Sequence, residues 1–312
     1  MDIWVGILLV YALAAGLFFL GRWAGKFMSK WGTVLAGLVV VLAILTFANT
    51  FQDSVFLARI LPFSNVIVLG RWEPMLAALL AGVVWRRLTG GAWRRSATVL
   101  LLMAAAAYFT YHDLWSARPH CGDSWRGGVC VQMSPASCSA AAAATLLRAY
   151  GIDATEAEMA RLCFTTDEGT TLHGLFRGLK LKTAGTPWRV EVFSRGLEGL
   201  AEMNGAPVLL QVELAVNAVV DPNYEQHWGW VPGVAHTVVF FGFRENNKIE
   251  IGDTSVGRER WDVEALRVLW HGAGVRLVSR DGSRAGASGD RRGQSWKYSS
   301  KPGTGSSGTK SM

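Results

Sequence analysis

The chain has 312 residues, 50% of them hydrophobic, and a formal net charge of +7. That length holds a membrane region plus one globular domain, and the apolar share is high for a soluble protein. The positive charge is local. Loop 22–31 carries three basic residues, loop 86–95 four, and the tail from Arg280 a net +5, which leaves the rest of the chain at −5. A basic nucleic-acid-binding surface is therefore not expected.

The first 115 residues read as a membrane region. Ile3 to Leu20 is a continuous apolar run followed by Arg22, Lys26 and Lys30. A signal peptide would carry its basic residues before the run, not after it. Four spans are expected, at 3–21, 32–49, 66–86 and 96–112. The third is short unless it takes in Arg71 and Glu73. Tyr108, Tyr111 and Trp115 border the fourth. Loops 22–31 and 86–95 hold seven basic residues, against Arg59 in loop 50–65. Basic residues near span ends favour the cytoplasm, so both termini are expected outside it.

From 119 to 279 charged, polar and apolar residues mix in short blocks, as in a globular domain. Cys121 and Cys130 flank a turn-rich loop; in an oxidising compartment a disulfide between them is expected, the alternative being two free thiols. Pro135 and Ser137 read as turn and N-cap before a helix from Cys138 to Tyr150. A second helix, capped by Asp153 or Thr155, ends near Cys163, read as a buried structural thiol. A third, capped by Thr170 or Thr171, runs to Lys180. Strands are expected at Trp188–Phe193, Pro207–Leu214, Thr237–Phe243, Lys248–Ile251 and Gly274–Val278, with helices at Leu197–Met203 and Asp262–Leu269. Helices first and strands after give an α+β domain with a largely antiparallel sheet. The segment 280–312, rich in Gly, Ser, Arg and Lys, holds too few aliphatic residues to fold.

A thiol on the first turn of a helix faces unpaired N–H groups and the positive end of the helix dipole, which favours the thiolate. Cys138 is so placed, and Gln132, six residues earlier, can donate to an oxyanion. Of six histidines, His236 opens a strong β run. Asp253 ends the next strand of the same hairpin, where a carboxylate can accept the imidazole N–H. The four cysteines contain no C-x-x-C and no zinc-ligand spacing with histidine, so neither metal nor cofactor is expected.

These residues resemble the double-glycine leader peptidases, the bacteriocin-processing family 39 of the cysteine peptidases, a branch of the papain-like fold. The resemblance spans roughly 128–278. It rests on Gln132 through Cys138-Ser139-Ala140-Ala141, on Glu156 to Leu162, on Glu168-Gly169-Thr170-Thr171, on Pro207 to Leu210, and on His236-Thr237-Val238-Val239, Ile251-Gly252-Asp253 and Leu269 to Gly272. It implies a papain-like α+β peptidase domain with Cys138 as nucleophile, His236 as base, Asp253 as orienting acid and Gln132 as oxyanion donor. The sequence departs from the family pattern at Ser139, where glycine is usual, at Ser137, where an acid is common, and at Thr254, where proline is usual.

No G-x-x-x-x-G-K-[ST] motif occurs, so the chain carries no ATPase of that kind. The expected protein is a multi-pass cysteine peptidase of the plasma (inner) membrane with its domain outside the cytoplasm. It would act on a peptide or leader-type substrate, and a separate transporter would be a partner. The alternatives are an inactive peptide-binding domain on a membrane anchor, and an amidase or transpeptidase using the same thiol chemistry.

Overall fold

The computed structural model describes residues 2–203, 206–216 and 221–281; the segment expected to be an unfolded tail lies, from 282 on, outside the described residues. The first 115 residues are mainly helical. Helix α1 (Asp2–Ala24) is 23 residues long, about 35 Å at 1.5 Å per residue, enough to cross a bilayer. Helix α2 (Lys30–Thr46) starts at Ser29, whose hydroxyl accepts from the Gly32 N–H, and continues through a wider π turn at Phe47–Phe51. The third apolar run, expected as one helix, is broken into α4 (Val66–Leu69) and α5 (Glu73–Val84), after the short α3 (Val55–Ile60). Pro74 in the first turn of α5 explains the break, since proline has no N–H to continue a helix from α4. Arg71 stands at the break and its guanidinium meets Asp113 at 2.8 Å.

Three stretches are long and apolar enough to cross a membrane: Asp2–Ala24, Lys30–Phe51 and Val66–Val84. Helix α6 (Ala92–Tyr111) has 20 residues, but Arg94 and Arg95 occupy its first turn.

The packing of α1 on α5 fixes their relative direction. Gly6 lies against Asn65 and Val68, and Gly21 against Leu79 and Val83, so α1 and α4–α5 run parallel. A Cβ on Gly21 would stand 2.5 Å from the Leu79 carbonyl oxygen, and one on Gly82 would run into the Phe18 carbonyl. Glycine at both positions is what lets the two backbones touch. At one end of the bundle Arg87 donates to the Met28 carbonyl at 3.2 Å and Arg22 lies over the Trp85 ring, so the two basic loops sit together. At the other end Asn65 donates to the Asp2 carbonyl, and Arg71 pairs with Asp113 beyond α6.

The domain that follows has the expected α+β architecture. A hairpin, β1 (Ser124–Arg126) and β2 (Val129–Val131), precedes α7 (Cys138–Ala149), α8 (Glu156–Cys163) and α9 (Leu172–Lys182). Then come β3 (Trp188–Ser194), α10 (Leu197–Ala201), β4 (Val208–Glu213), α11 (Asn223–Gln226), β5 (Ala235–Phe243), β6 (Lys248–Asp253), β7 (Gly257–Asp262), α12 (Val263–Leu269) and β8 (Trp270–Ser279). The sheet order is β3-β8-β4-β5-β6-β7 and every pairing is antiparallel.

Strand alternation divides the core into two layers. Leu209, Val239 and Val275 face α7, α8 and α9 with Ala140–Ala144, Leu146 and Phe176. Leu210, Val238, Phe240 and Ile251 face the other way, against Trp230, Trp261, Leu266 and Leu269. Several elements differ from the sequence reading. The hairpin β1–β2 and the short α11 form where loops were read, and β2 takes in Cys130 itself. Strand β7 adds an edge whose Arg258 and Arg260 point to solvent while Trp261 is buried.

The domain is docked on the helical region. The Asp53 carboxylate accepts from the backbone N–H groups of Leu172 (2.6 Å) and His173 (2.7 Å), the first turn of α9. An anion at a helix N-terminus satisfies otherwise unpaired donors and the dipole. His173 Nε2 donates to the Ser54 carbonyl at 3.1 Å, Arg177 pairs with Asp2 at 3.2 Å, and Arg59 reaches the Val192 carbonyl on β3. Each buried unpaired donor costs about 1–3 kcal/mol. Asp53→Ala is therefore expected to lower the thermal midpoint of the detergent-solubilised chain and to speed amide exchange at Leu172 and His173. Unchanged exchange at those two amides would show that Asp53 does not hold the domain.

Candidate active site

Cys138 is the first residue of α7, and only 8% of its surface is exposed. Ser137 precedes it in the N-cap position but does not cap the helix; its hydroxyl turns back and donates to the Ser134 carbonyl at 2.8 Å. The first N–H groups of α7 are thus not capped by the Ser137 oxygen.

His236 is the second residue of β5, and Asp253 the last of β6. The register sets Val238 opposite Asp253, so His236, two residues from Val238 on the same face, reaches Asp253 diagonally. The His236 Nε2 to Asp253 Oδ1 distance is 2.9 Å. The same ring interacts with the Cys138 thiol, and each shifts the titration of the other. Burial alone would push the thiol up and the imidazole down. The Cys138–His236 hydrogen bond and their opposite charges, joined on the histidine by Asp253, outweigh burial. The thiol is held below its ordinary range and His236 is pushed up to about 10. Both shifts favour the thiolate–imidazolium form of the pair over the neutral one.

The other three thiols behave oppositely. Burial, aided for the first two by the negative charge of Glu156, pushes Cys121 up to about 11 and Cys130 up to about 12; burial pushes Cys163 up to about 12. The disulfide expected between Cys121 and Cys130 is not formed: both are free thiols. The hairpin register is the reason. Trp125, not Cys121, lies opposite Cys130, and the Cys130 side chain is packed into the core with α7. Cys163 is buried, as expected of a structural thiol.

Gln132 lies just beyond β2. Its backbone N–H donates to the Thr254 carbonyl at 2.8 Å. Its side-chain Nε2 donates to the Ser134 carbonyl at 3.0 Å, and its Oε1 accepts from the Thr254 hydroxyl at 2.6 Å. Cys138, His236 and Asp253 are thus brought into one line, and Gln132 is tied to both the turn after Asp253 and the turn before Cys138. Of the three departures, Ser137 bonds the Ser134 carbonyl, Thr254 makes the bond just given, and Ser139 Oγ stands 2.8 Å from Thr237 Oγ1, joining α7 to β5 beside His236.

Two residues to which the sequence reading gave no role in the site complete it. The Trp230 indole N–H donates to Asp253 Oδ2 at 3.0 Å, and its ring lies 4.5 Å from the His236 ring. The only local hint was a tryptophan-rich loop before β5. The wholly buried Glu156 accepts from the backbone N–H groups of Gly122 and Met133 at 2.7 and 2.9 Å, pinning the strand end that carries Gln132. Among the described residues no His/Cys/Asp/Glu cluster has metal-site geometry.

A helix-start thiol, a strand-borne imidazole and a buried carboxylate across an antiparallel sheet define a papain-like cysteine peptidase domain. The sequence model of the Peptidase C39 family matches residues 127–185, in agreement with the resemblance read from the sequence. That segment holds Gln132 and Cys138 and ends before His236. A protein of Methanothermobacter thermautotrophicus described as uncharacterized is 47% identical over 47 residues, 15% of this chain and 33% of that protein. The chain thus matches about a third of that relative's length. Among solved structures, the peptidase domain of Streptococcus ComA, a bi-functional ABC transporter, is 21% identical with a TM-score of 0.38, covering 49% of this chain and 98% of that one. A double glycine motif protease from an AMS/PCAT transporter, solved with its leader peptide, is 16% identical with a TM-score of 0.36, covering 52% and 93%.

The pH dependence follows from the two shifts. Cys138 is a thiolate above its lowered pKa, and His236 is an imidazolium below about 10. Alkylation of Cys138 by iodoacetamide should therefore stay fast well below the ordinary thiol value of about 8.5. In His236→Ala the main opposition to burial is lost and only the hydrogen bonds from Thr237 and Ser139 remain, so the profile should move to higher pH and labelling at pH 7 should slow by at least about tenfold. Identical profiles for the two proteins, read by mass spectrometry of the Cys138 peptide, would contradict the pairing.

Proposed function

We propose that this protein is a membrane-anchored cysteine peptidase that cuts a leader-type peptide through an acyl-thioenzyme intermediate. The observation that carries the reading is the Cys138–His236–Asp253 line, with its thiol held low while the other three are pushed up. The Cys138 thiolate attacks the scissile carbonyl carbon. Negative charge moves to the carbonyl oxygen, where the first N–H groups of α7 and the Gln132 amide stabilise it. The His236 imidazolium gives its proton to the departing amine, and the C–N bond breaks to leave a thioester on Cys138. The neutral imidazole then takes a proton from water, whose oxygen attacks the thioester and releases the acid and the thiolate. Asp253 and Trp230 hold the ring in the orientation this exchange needs.

The leader-type substrate and a separate transporter as partner are supported by the family match over 127–185. A four-span arrangement in the plasma (inner) membrane, with the domain outside the cytoplasm, is supported by the bundle. The basic loops meet at one end, and Asp2, Asp53, Arg71 and Asp113 gather at the other, where the domain docks. Helix α6 leads from the first end to the second. Loops rich in arginine and lysine favour the cytoplasmic face.

Full-length protein in detergent, incubated with a peptide library, should give defined cleavage products by mass spectrometry, and Cys138→Ala should give none. Products that persist in Cys138→Ala would end the reading; binding without turnover in the parent would replace it with a peptide-binding domain. Topology is read separately, from reporter fusions after residues 30, 60, 90 and 280. Cytoplasmic signals are expected only after 30 and 90, and a cytoplasmic signal after 280 would reverse the orientation.

A further inference from the structure

The bonds around Thr254 single out one hydroxyl. Thr254 is completely buried at the turn after Asp253. It grips Gln132 twice, its carbonyl accepting the Gln132 backbone N–H and its hydroxyl standing 2.6 Å from Gln132 Oε1. The direction of the second bond is fixed by a third group. The Ser134 carbonyl, 3.0 Å from the amide nitrogen of Gln132, can only accept. The nitrogen end of the amide must face Ser134, so its oxygen faces Thr254 and the hydroxyl must donate. The competing acceptor of that single proton, the Thr237 carbonyl, is farther at 3.5 Å. The Ser134 carbonyl itself belongs to the turn that ends in Cys138, where Ser137 also bonds it through both N–H and hydroxyl.

We propose that Thr254 is a positioning residue for acyl transfer: its hydroxyl locks the Gln132 amide so that an N–H is presented to the oxyanion formed when Cys138 attacks. This rests on the peptidase reading above. A hydrogen bond accepted by an amide oxygen also polarises the amide and strengthens its N–H as a donor. An amide nitrogen carries two N–H groups; one is spent on Ser134, and the lock leaves the other a single direction. Without the hydroxyl only the Nε2–Ser134 bond holds the amide, and Oε1 loses its donor.

Alkylation and acylation separate this role from a general loss of structure. Iodoacetamide reacts with the thiolate at a saturated carbon and forms no oxyanion; acylation by the p-nitrophenyl ester of acetylglycine does. In full-length protein, Thr254→Val should leave alkylation of Cys138 within about twofold while acylation falls by about 10-fold or more. Losing an oxyanion donor outright costs about 10² to 10³, and losing its lock should cost less. Thr254→Ser should restore acylation. Adding Thr254→Val to Gln132→Ala should cost little further, because the two residues act as a unit. Unchanged acylation in Thr254→Val, a parallel fall in both rates, or additive losses in the double variant would each overturn the role of Thr254. A parent protein that is neither alkylated rapidly nor acylated at Cys138 would instead overturn the peptidase reading, and the role with it.

Discussion

A carboxylate with no access to water must be given hydrogen bonds from the protein, because an unpaired buried charge costs more than a domain can spare. Asp253 is that group here. Its surface is fully covered, and it accepts from His236, Trp230 and the Ser255 N–H. Satisfying it dictates much of the domain. The β5–β6 register must bring His236 to it, and the β4–β5 loop must fold Trp230 over it. The turn after β6 must present the Ser255 N–H, and so places Thr254 beneath Gln132. By stabilising the charged imidazole, Asp253 supports the group that lowers Cys138, which burial alone would leave as an inert thiol like Cys130 or Cys163.

The placement of the three central groups was legible because each carries a local signal. A cysteine before an alanine-rich helix, a histidine opening an apolar strand and an aspartate closing the next need only periodicity and turn chemistry to be placed. Their partners were not legible. Trp230 meets Asp253 across 23 positions and Glu156 meets Gly122 across 34, and nothing in either local sequence names the other end. Short elements failed for a related reason. Strand β7 alternates arginine and glutamate around one tryptophan and pairs only at an edge. The hairpin β1–β2 is held by Gly127 and Gly128 at positive φ, which a turn-rich reading does not tell from a loop. In the membrane region, hydropathy marks the third run but not the break that Pro74 makes in it.

The helical region is more than an anchor in this structure. Asp53 supplies the anion at the N-terminus of α9, and Arg177 of α9 pairs with Asp2 at the start of α1. The helix whose Leu172 and Leu175 pack in the core beneath α7 is thus held by the N-terminal helices.

The account turns on His236 carrying a proton at neutral pH because a thiolate and a carboxylate flank it. The direct measurement is the nitrogen and proton NMR spectrum of 15N-histidine-labelled, full-length protein at pH 7, with His236 assigned by its loss in His236→Ala. The account predicts a doubly protonated ring in the parent that becomes neutral when Cys138 is alkylated and its negative charge removed. A His236 ring that is neutral at pH 7 in the unmodified protein, or one indifferent to alkylation of Cys138, would contradict it.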